Sequence, residues 1–523
     1  MGGRTLHHAE RVSVHWLDGP MIEPMGDRAA EYRDVRRQIE EAVQSFATSI
    51  DGRRFDLQAP LHGLELAVGG YVVLEAGSAT YLGQVLTLEL GHLESAEFTV
   101  SVDGPQGGIR APVPVRAARG TGVILDRHAR PFLDARLRPA DHAAIGSWLD
   151  ASRSGNAELG IGTLSLAPEH PARMDAGGFD RHTFLCGQSG SGKTYSLGVV
   201  LEQLLAETSL RVIILDPNSD YVKLDQVHGD APPDQAERYR AAADGIRVLR
   251  ARSAGESPLH LRFAELESAC QAALLQLDPV ADREEYAALL MLLERDVDGA
   301  PLLSSLEDLI DLDDQGTHQL GLRASNLGLA GLEIWENGQG GSLVEALDDD
   351  GWRCLVVDLG SLGSPEAQSV VANAVLSTLW RLRNRRQPVL VVIDEAHNVC
   401  PAQPESRLAE LATRRCVQIA AEGRKFGLHL LISTQRPQKV HENVLSQCDN
   451  LILMRMNSAV DLAYLAEAFS FVPSGLLAQS SGFGLGEALV AGKISPQPAL
   501  IHFGKRITVE GGSDVSKEWA APT

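Results

Sequence analysis

The sequence predicts an α/β protein, a parallel sheet covered by helices with a small β-barrel ahead of it. Three observations carry that expectation. From Arg181 onward, apolar strand-like runs alternate with segments of helical period, as in a chain of strand–helix–strand units. The run Thr183-Phe184-Leu185-Cys186 leads into Gly187-Gln188-Ser189-Gly190-Ser191-Gly192-Lys193-Thr194, and residues 195–206 follow with the apolar spacing of a helix. Ahead of this region, short alternating runs are divided by turn clusters such as Asp103-Gly104-Pro105-Gln106-Gly107-Gly108.

Residues 1–59 are expected to form an N-terminal extension, with an amphipathic helix over 28–48 that aligns Val35, Ile39, Val43 and Phe46. Strands are expected at 54–58, 71–75, 80–90, 97–102 and 121–125, and the natural assignment is a small barrel over 60–125. Residues 126–178 read as a linker followed by an edge hairpin around 159–166. The α/β core is expected over 179–505, with strands at 183–186, 212–215, 354–358, 389–394, 428–433 and 451–456. Between the second and third of these lies a stretch of helical period without strong strands, read as an acidic helical insertion at about 262–350 with a solvated face. Residues 506–523 form a tail.

At 523 residues the chain exceeds what one core usually supports, so two or three domains are expected. A hydrophobic fraction of 44% with 22% charged residues is that of a globular protein. There is no apolar run long enough to span a bilayer, and the first residues do not lead into an apolar leader, so the expected setting is cytoplasmic with no membrane. The six cysteines lack Cys-x-x-Cys spacing and fall in or beside core strands, which favours free buried thiols over zinc ligands or disulfides. A formal net charge of −22 argues against a surface that attracts nucleic acid everywhere; it leaves local contact open.

The eight residues from Gly187 to Thr194 match the pattern G-x-x-x-x-G-K-[ST], between a strand and a helix as that pattern requires. Glycines let backbone N–H groups turn onto phosphate oxygens, Lys193 can reach the β- and γ-phosphates, and the Thr194 hydroxyl can ligate magnesium. A nucleoside triphosphate is the expected ligand. The strand at 389–394 ends in Asp394 and Glu395. Asp394 can hold Mg²⁺ through water, and Glu395 can orient and deprotonate the attacking water. The bland alternative is a strand capped by two solvated acids. Leu430-Leu431-Ile432-Ser433-Thr434-Gln435 ends another core strand in polar residues, and Gln435 is the candidate γ-phosphate sensor. Just before that strand, Arg424 can reach a neighbouring subunit's nucleotide and stabilise transition-state charge. A solvated helix end is the bland alternative. Asp216 and Asp220 close the second strand; they either approach the magnesium shell or form an Asx turn.

In this order the blocks GQSGSGKT (187–194), LDPNSDY (215–221), VVIDEAHN (391–398) and EGRKFGLHLLISTQRP (422–437) resemble the HerA family of hexameric ATPases, relatives of the FtsK-type DNA pumps. Gly486 to Gly492 looks like that family's closing hairpin, and residues 71–91 are similar to its N-terminal barrel. The resemblance implies a RecA-like P-loop ATPase core using ATP and Mg²⁺. It assigns nucleotide binding to Gly187, Gln188, Ser189, Gly190, Ser191, Gly192, Lys193, Thr194, Tyr195 and Asp216, and metal binding to Thr194 and Asp394. Glu395, Arg424, Gln435 and Lys193 become the catalytic group, with Arg424 as arginine finger. One departure stands out: Asn218-Ser219-Asp220 replaces the family's usual His-Gly-Glu, which leaves the role of Asp220 open. The resemblance further implies a homo-hexamer around double-stranded DNA and a separate nuclease partner; outside the ATP site no cluster of Asp, Glu and Lys has nuclease spacing. Similar chains in bacterial antiviral systems pair with sirtuin-like or nuclease effectors. A scaffold or sensor ring that organises such an effector is therefore the second reading.

Overall fold

The computed structural model describes residues 44–61, 64–92, 98–102, 109–113, 116–251, 258–294, 296–297, 300–301, 315–335 and 341–512. The expected helix over 28–48 lies outside these as far as residue 43, and from Phe46 the chain is already strand. The turn at 103–108 and the tail beyond 512 also lie outside them.

The N-terminal strands are β1 (Phe46–Ser49), β2 (Arg54–Pro60), β3 (Tyr71–Ala76), β4 (Ala79–His92), β5 (Phe98–Val102), β6 (Ile109–Val113), β7 (Arg116–Ile124) and β8 (Phe132–Pro139). Six of them close a barrel in the order β1-β2-β7-β4-β3-β8. Closure comes from the antiparallel pairing of β1 with β8, in which Phe46 lies opposite Arg136. The alternation along β2 turns Phe55 and Leu57 inward, where they pack with Val72, Leu74, Val85 and Leu137. The barrel thus runs from Phe46 to Pro139, past both ends of the expected 60–125. Two details of the sequence reading change. The segment read as a barrel strand at 97–102 is β5, which pairs only with β6 as a separate ribbon, and the supposed linker supplies the closing strand β8. The strand β8 carries a weak signal because Arg and Asp occupy its outward positions.

After the helix His142–Ala151 come β9 (Glu158–Leu164), β10 (Ala167–Asp175), β11 (His182–Cys186), β12 (Arg211–Asp216) and β13 (Ile246–Leu249). A two-residue pair, β14 (Asp296–Val297) with β15 (Ala300–Pro301), precedes β16 (Cys354–Asp358), β17 (Val389–Ile393), β18 (Leu428–Thr434), β19 (Cys448–Met454), β20 (Glu487–Ala491) and β21 (Ala499–Phe503). Eleven of these form one sheet in the order β10-β9-β21-β20-β19-β11-β18-β17-β12-β16-β13. The stretch from β19 to β13 is parallel, and β20, β21, β9 and β10 extend it antiparallel to the hairpin edge. In β11, β16, β17 and β18 every residue is buried, as parallel strands covered on both faces require. Alternate residues serve two cores. Leu185, Ile214, Val392 and Leu431 meet the helix Lys193–Glu207 on one face, while Phe184, Ile213, Val391 and Ile432 meet the helices Pro365–Leu382 and Arg407–Glu422 on the other.

The insertion contributes the helices Ser268–Leu274, Arg283–Glu294, Gln315–Asn326 and Leu343–Asp348. Leu274, Leu289, Leu320 and Leu347 tie it into the second core, so it is a packed layer with one solvated side. The short strand β13, at the sheet's far edge, was not foreseen: only Leu249 in Ile246–Leu249 is buried, so the segment lacks an apolar run. Beyond β21 the chain turns back over the helix Lys193–Glu207, where the buried Glu202 accepts from Ile507 N at 3.0 Å and Thr508 N at 2.8 Å.

Candidate active site

The site is built where β11, β18 and β17 reach the carboxyl edge of the sheet. These strands are adjacent in the order β11-β18-β17, so the loop after β11 faces Asp394 and Glu395 after β17, across the end of β18. The loop needs its glycines. Gly190 (φ 72°) and Gly192 (φ 91°) occupy the left-handed region. A Cβ on Gly187 would lie 2.7 Å from Ser191 Oγ and 2.8 Å from Met454 Cβ.

Lys193, the first residue of the helix, buries its ammonium among acids: Nζ lies 2.6 Å from Asp394 Oδ1 and 3.1 Å from Glu395 Oε1. Burial works against the charged amine, but Asp394 and Glu395 beside it hold the Lys193 pKa above the ordinary lysine value. Ser433 Oγ joins them, donating to Asp394 Oδ1 at 2.7 Å and accepting from Lys193 Nζ at 3.1 Å. Glu395 stands at φ 41°, a strained conformation for a residue with a side chain, and such strain concentrates at functional sites. Its Oε1 accepts from Gln435 Nε2 at 2.9 Å, which brings the expected base and sensor together. His397 lies 3.3 Å from the other carboxylate oxygen and is bonded to Thr434 Oγ1 at 3.1 Å.

Among the described residues, Ser191 Oγ, Asp394 Oδ2 and Glu395 Oε2 are buried without a hydrogen-bond partner. Two carboxylate oxygens and a hydroxyl left in this condition beside a glycine cradle fit a nucleotide phosphate and its cation. Thr194, the second residue of the helix, is half-buried behind the loop. Tyr195 turns instead toward the C-terminal strap, its hydroxyl accepting from Arg506 N at 2.7 Å.

The two acids after β12 separate in role. Asp216 is wholly buried and accepts from Asn218 N, Asp220 N and Tyr221 N, which is the Asx-turn arrangement; burial raises its pKa to about 7. Asp220 is the acid that feels the site. Burial first and the Asp394 charge second raise it to about 6. Arg424 lies elsewhere: it precedes β18, at the opposite edge of the sheet, 38% exposed and 3.3 Å from Asp449 Oδ2.

Ser433, His397 and Arg455 were not singled out in the sequence. Arg455 Nη2 donates to Gly190 O at 2.8 Å, and its carbonyl accepts from Gln188 N at 3.0 Å, so the end of β19 props the phosphate loop. A polar residue inside the apolar run Leu430-Leu431-Ile432-Ser433 was the available signal for Ser433. For Arg455 none existed, because the contact spans 265 residues.

A phosphate loop, an acid pair on a covered strand and a polar strand end between them define a P-loop ATPase of the RecA-like α/β class. Residues 159–318 match the family described as the central domain of helicase HerA. The chain is 24% identical over 465 residues to the DNA double-strand break repair helicase HerA of Saccharolobus solfataricus, a match that covers 83% of this chain and 87% of the relative. Its match to the HerA of Sulfurisphaera tokodaii is 32% identical but local, covering 31% of this chain and 34% of the relative. Among solved structures, VirB4 of Thermoanaerobacter pseudethanolicus aligns over 67% of this chain and 97% of its own, at 15% identity and a TM-score of 0.46. The chain is thus similar to the HerA helicases over most of its length, and it is an ATPase.

Proposed function

We propose that the chain works as a ring motor, a hexamer on the family resemblance, which hydrolyses ATP at its subunit interfaces and moves along double-stranded DNA. Lys193 holds the β- and γ-phosphates, Glu395 orients and deprotonates the attacking water, and Gln435 senses the γ-phosphate through its bond to Glu395. Thr194 and Asp394 would hold Mg²⁺, which supplies charge neutralisation on the phosphates when bound. Asp216 acts on the nucleotide indirectly, by shaping the loop that carries Asp220.

One observation supports the ring above all others. Arg424 stands before β18, whereas Glu395 and Gln435 stand at its far end, and seven residues of strand separate the two edges by about 20 Å. An Arg424 that stabilises transition-state charge must therefore serve the site of a neighbouring subunit. The DNA substrate is supported by the relatives named double-strand break repair helicases. Any cutting belongs to a separate nuclease or other effector. No helix among the described residues is long and apolar enough to cross a membrane, and all six cysteines are free and buried, which supports work in the reducing cytoplasm.

The net charge of −22 favours a second reading, a scaffold or sensor ring that regulates an antiviral effector with little DNA movement. ATP turnover of the purified assembly with and without duplex DNA separates the two. Turnover should rise several-fold with duplex; turnover that ignores DNA, alone and with the partner, would overturn the motor reading.

A further inference from the structure

We propose that His142, Glu169 and His170 form a binding site for a divalent transition metal, with zinc the best-suited ion, which cross-links the helix His142–Ala151 to the outermost strand of the sheet. One donor atom from each residue lies within 4.8 Å of the other two. His142 Nδ1 is 3.9 Å and His170 Nε2 is 4.0 Å from Glu169 Oε1, and the two imidazole rings stack at 4.2 Å. Zinc bonds of about 2.1 Å set tetrahedral donors about 3.4 Å apart, so the shell closes when the two exposed side chains move: His142 turns out of its stack on His170 so that both ring nitrogens point at one ion, and Glu169 follows.

His170 supplies an independent sign of a ligand. It is only 4% exposed, and its Nε2 is buried with no hydrogen-bond partner among the described residues. A buried imidazole nitrogen without a partner is costly, and a metal bond removes the cost. The backbone is arranged to the same end. Neighbours on a regular strand point to opposite faces, but the pairing of β10 with β9 shifts register between Ala167 and Pro171, and the shift lets Glu169 and His170 converge on His142. Beside the pair lies a cavity of about 290 Å³ lined by His142, Gly146, Trp148, His170 and Gln497, which gives water a path to a fourth coordination position. Two nitrogens and one carboxylate oxygen suit zinc, cobalt or nickel over magnesium or calcium. The site lies on the hairpin edge of the sheet, apart from the acids that face Lys193.

The test is calorimetric titration of the full chain, free of nucleotide, with Zn²⁺ alone, together with the visible spectrum of Co²⁺ added in its place. One equivalent should bind per chain, Co²⁺ should show tetrahedral absorption, and Zn²⁺ should raise the melting temperature. His142→Ala and Glu169→Gln change exposed residues and should fold; each should weaken Zn²⁺ binding roughly tenfold or more and abolish both the Co²⁺ spectrum and the thermal shift. Absence of Zn²⁺ binding, or binding unchanged in both variants, overturns the site.

Discussion

Lys193 forms ion pairs with both site carboxylates, so removing it does two separable things. Lys193→Ala should abolish ATP turnover and also lower stability, by about 3 kcal/mol, because Asp394 and Glu395 would be left buried without their cation. Phosphate release and denaturation measured on the same preparation check both; an intact turnover would refute the assignment of the loop. Ser433 makes a narrower case. Its hydroxyl bonds Lys193 and Asp394 at once, and hydrogen bonds to charged groups are worth about 1.5–3 kcal/mol, so Ser433→Ala should cut turnover roughly ten- to a hundredfold while the fold persists. Asp220 carries a pH signature. Its pKa of about 6 in the fold lies above the ordinary aspartate value of 3.8, so its ionised form is disfavoured there. The penalty is absent below about pH 4, grows as pH rises through the interval and is complete above about pH 6. Asp220→Asn should therefore gain on the wild type between those limits, by about 1 kcal/mol once solvent screening of this partly exposed group is allowed for, as read from urea midpoints at both pH values; a pH-independent difference would refute it.

At the scale of elements, β18 organises the chemistry because it lies between the loop strand β11 and the acid strand β17. Its carboxyl end brings Ser433 and Gln435 onto Asp394 and Glu395, and its amino end carries Arg424 away from them. This polarity gives a test of subunit sharing. Arg424→Ala should bind nucleotide and fail to hydrolyse it, and so should Glu395→Gln. Mixing the two should restore part of the turnover, since some interfaces then combine an intact Arg424 with an intact Glu395; no recovery at any mixing ratio would make Arg424 a structural residue held by Asp449. Legibility at this scale follows burial. The strands β11, β12, β16, β17 and β18 are apolar on both faces and could be read nearly to their ends, whereas β8 and β13 are partly exposed and mixed in composition, so their pairing partners decide them.

In the whole molecule the barrel is fastened to the sheet by specific bonds. Gln84 Nε2 donates to Pro498 O at 3.1 Å, and Tyr71 Oη accepts from Gln497 Nε2 at 3.0 Å. The C-terminal strap binds Glu202 on the phosphate-loop helix and, through Gly511 and Gly512, the segment that holds Asp220. Deleting residues 504–523 should therefore impair turnover several-fold as well as stability, measured by phosphate release and thermal melting; full activity in the truncated chain would refute the coupling. The glycine loop, the acid pair and the positions of the core strands along the chain could be read from sequence because each is set locally, by a backbone conformation that only glycine adopts easily or by a run of apolar residues too long to leave in water. Tertiary structure alone decided the rest. It put Ser433 against Lys193, set Arg455 under Gly190 and closed the barrel with β8, since each depends on which distant segment packs alongside.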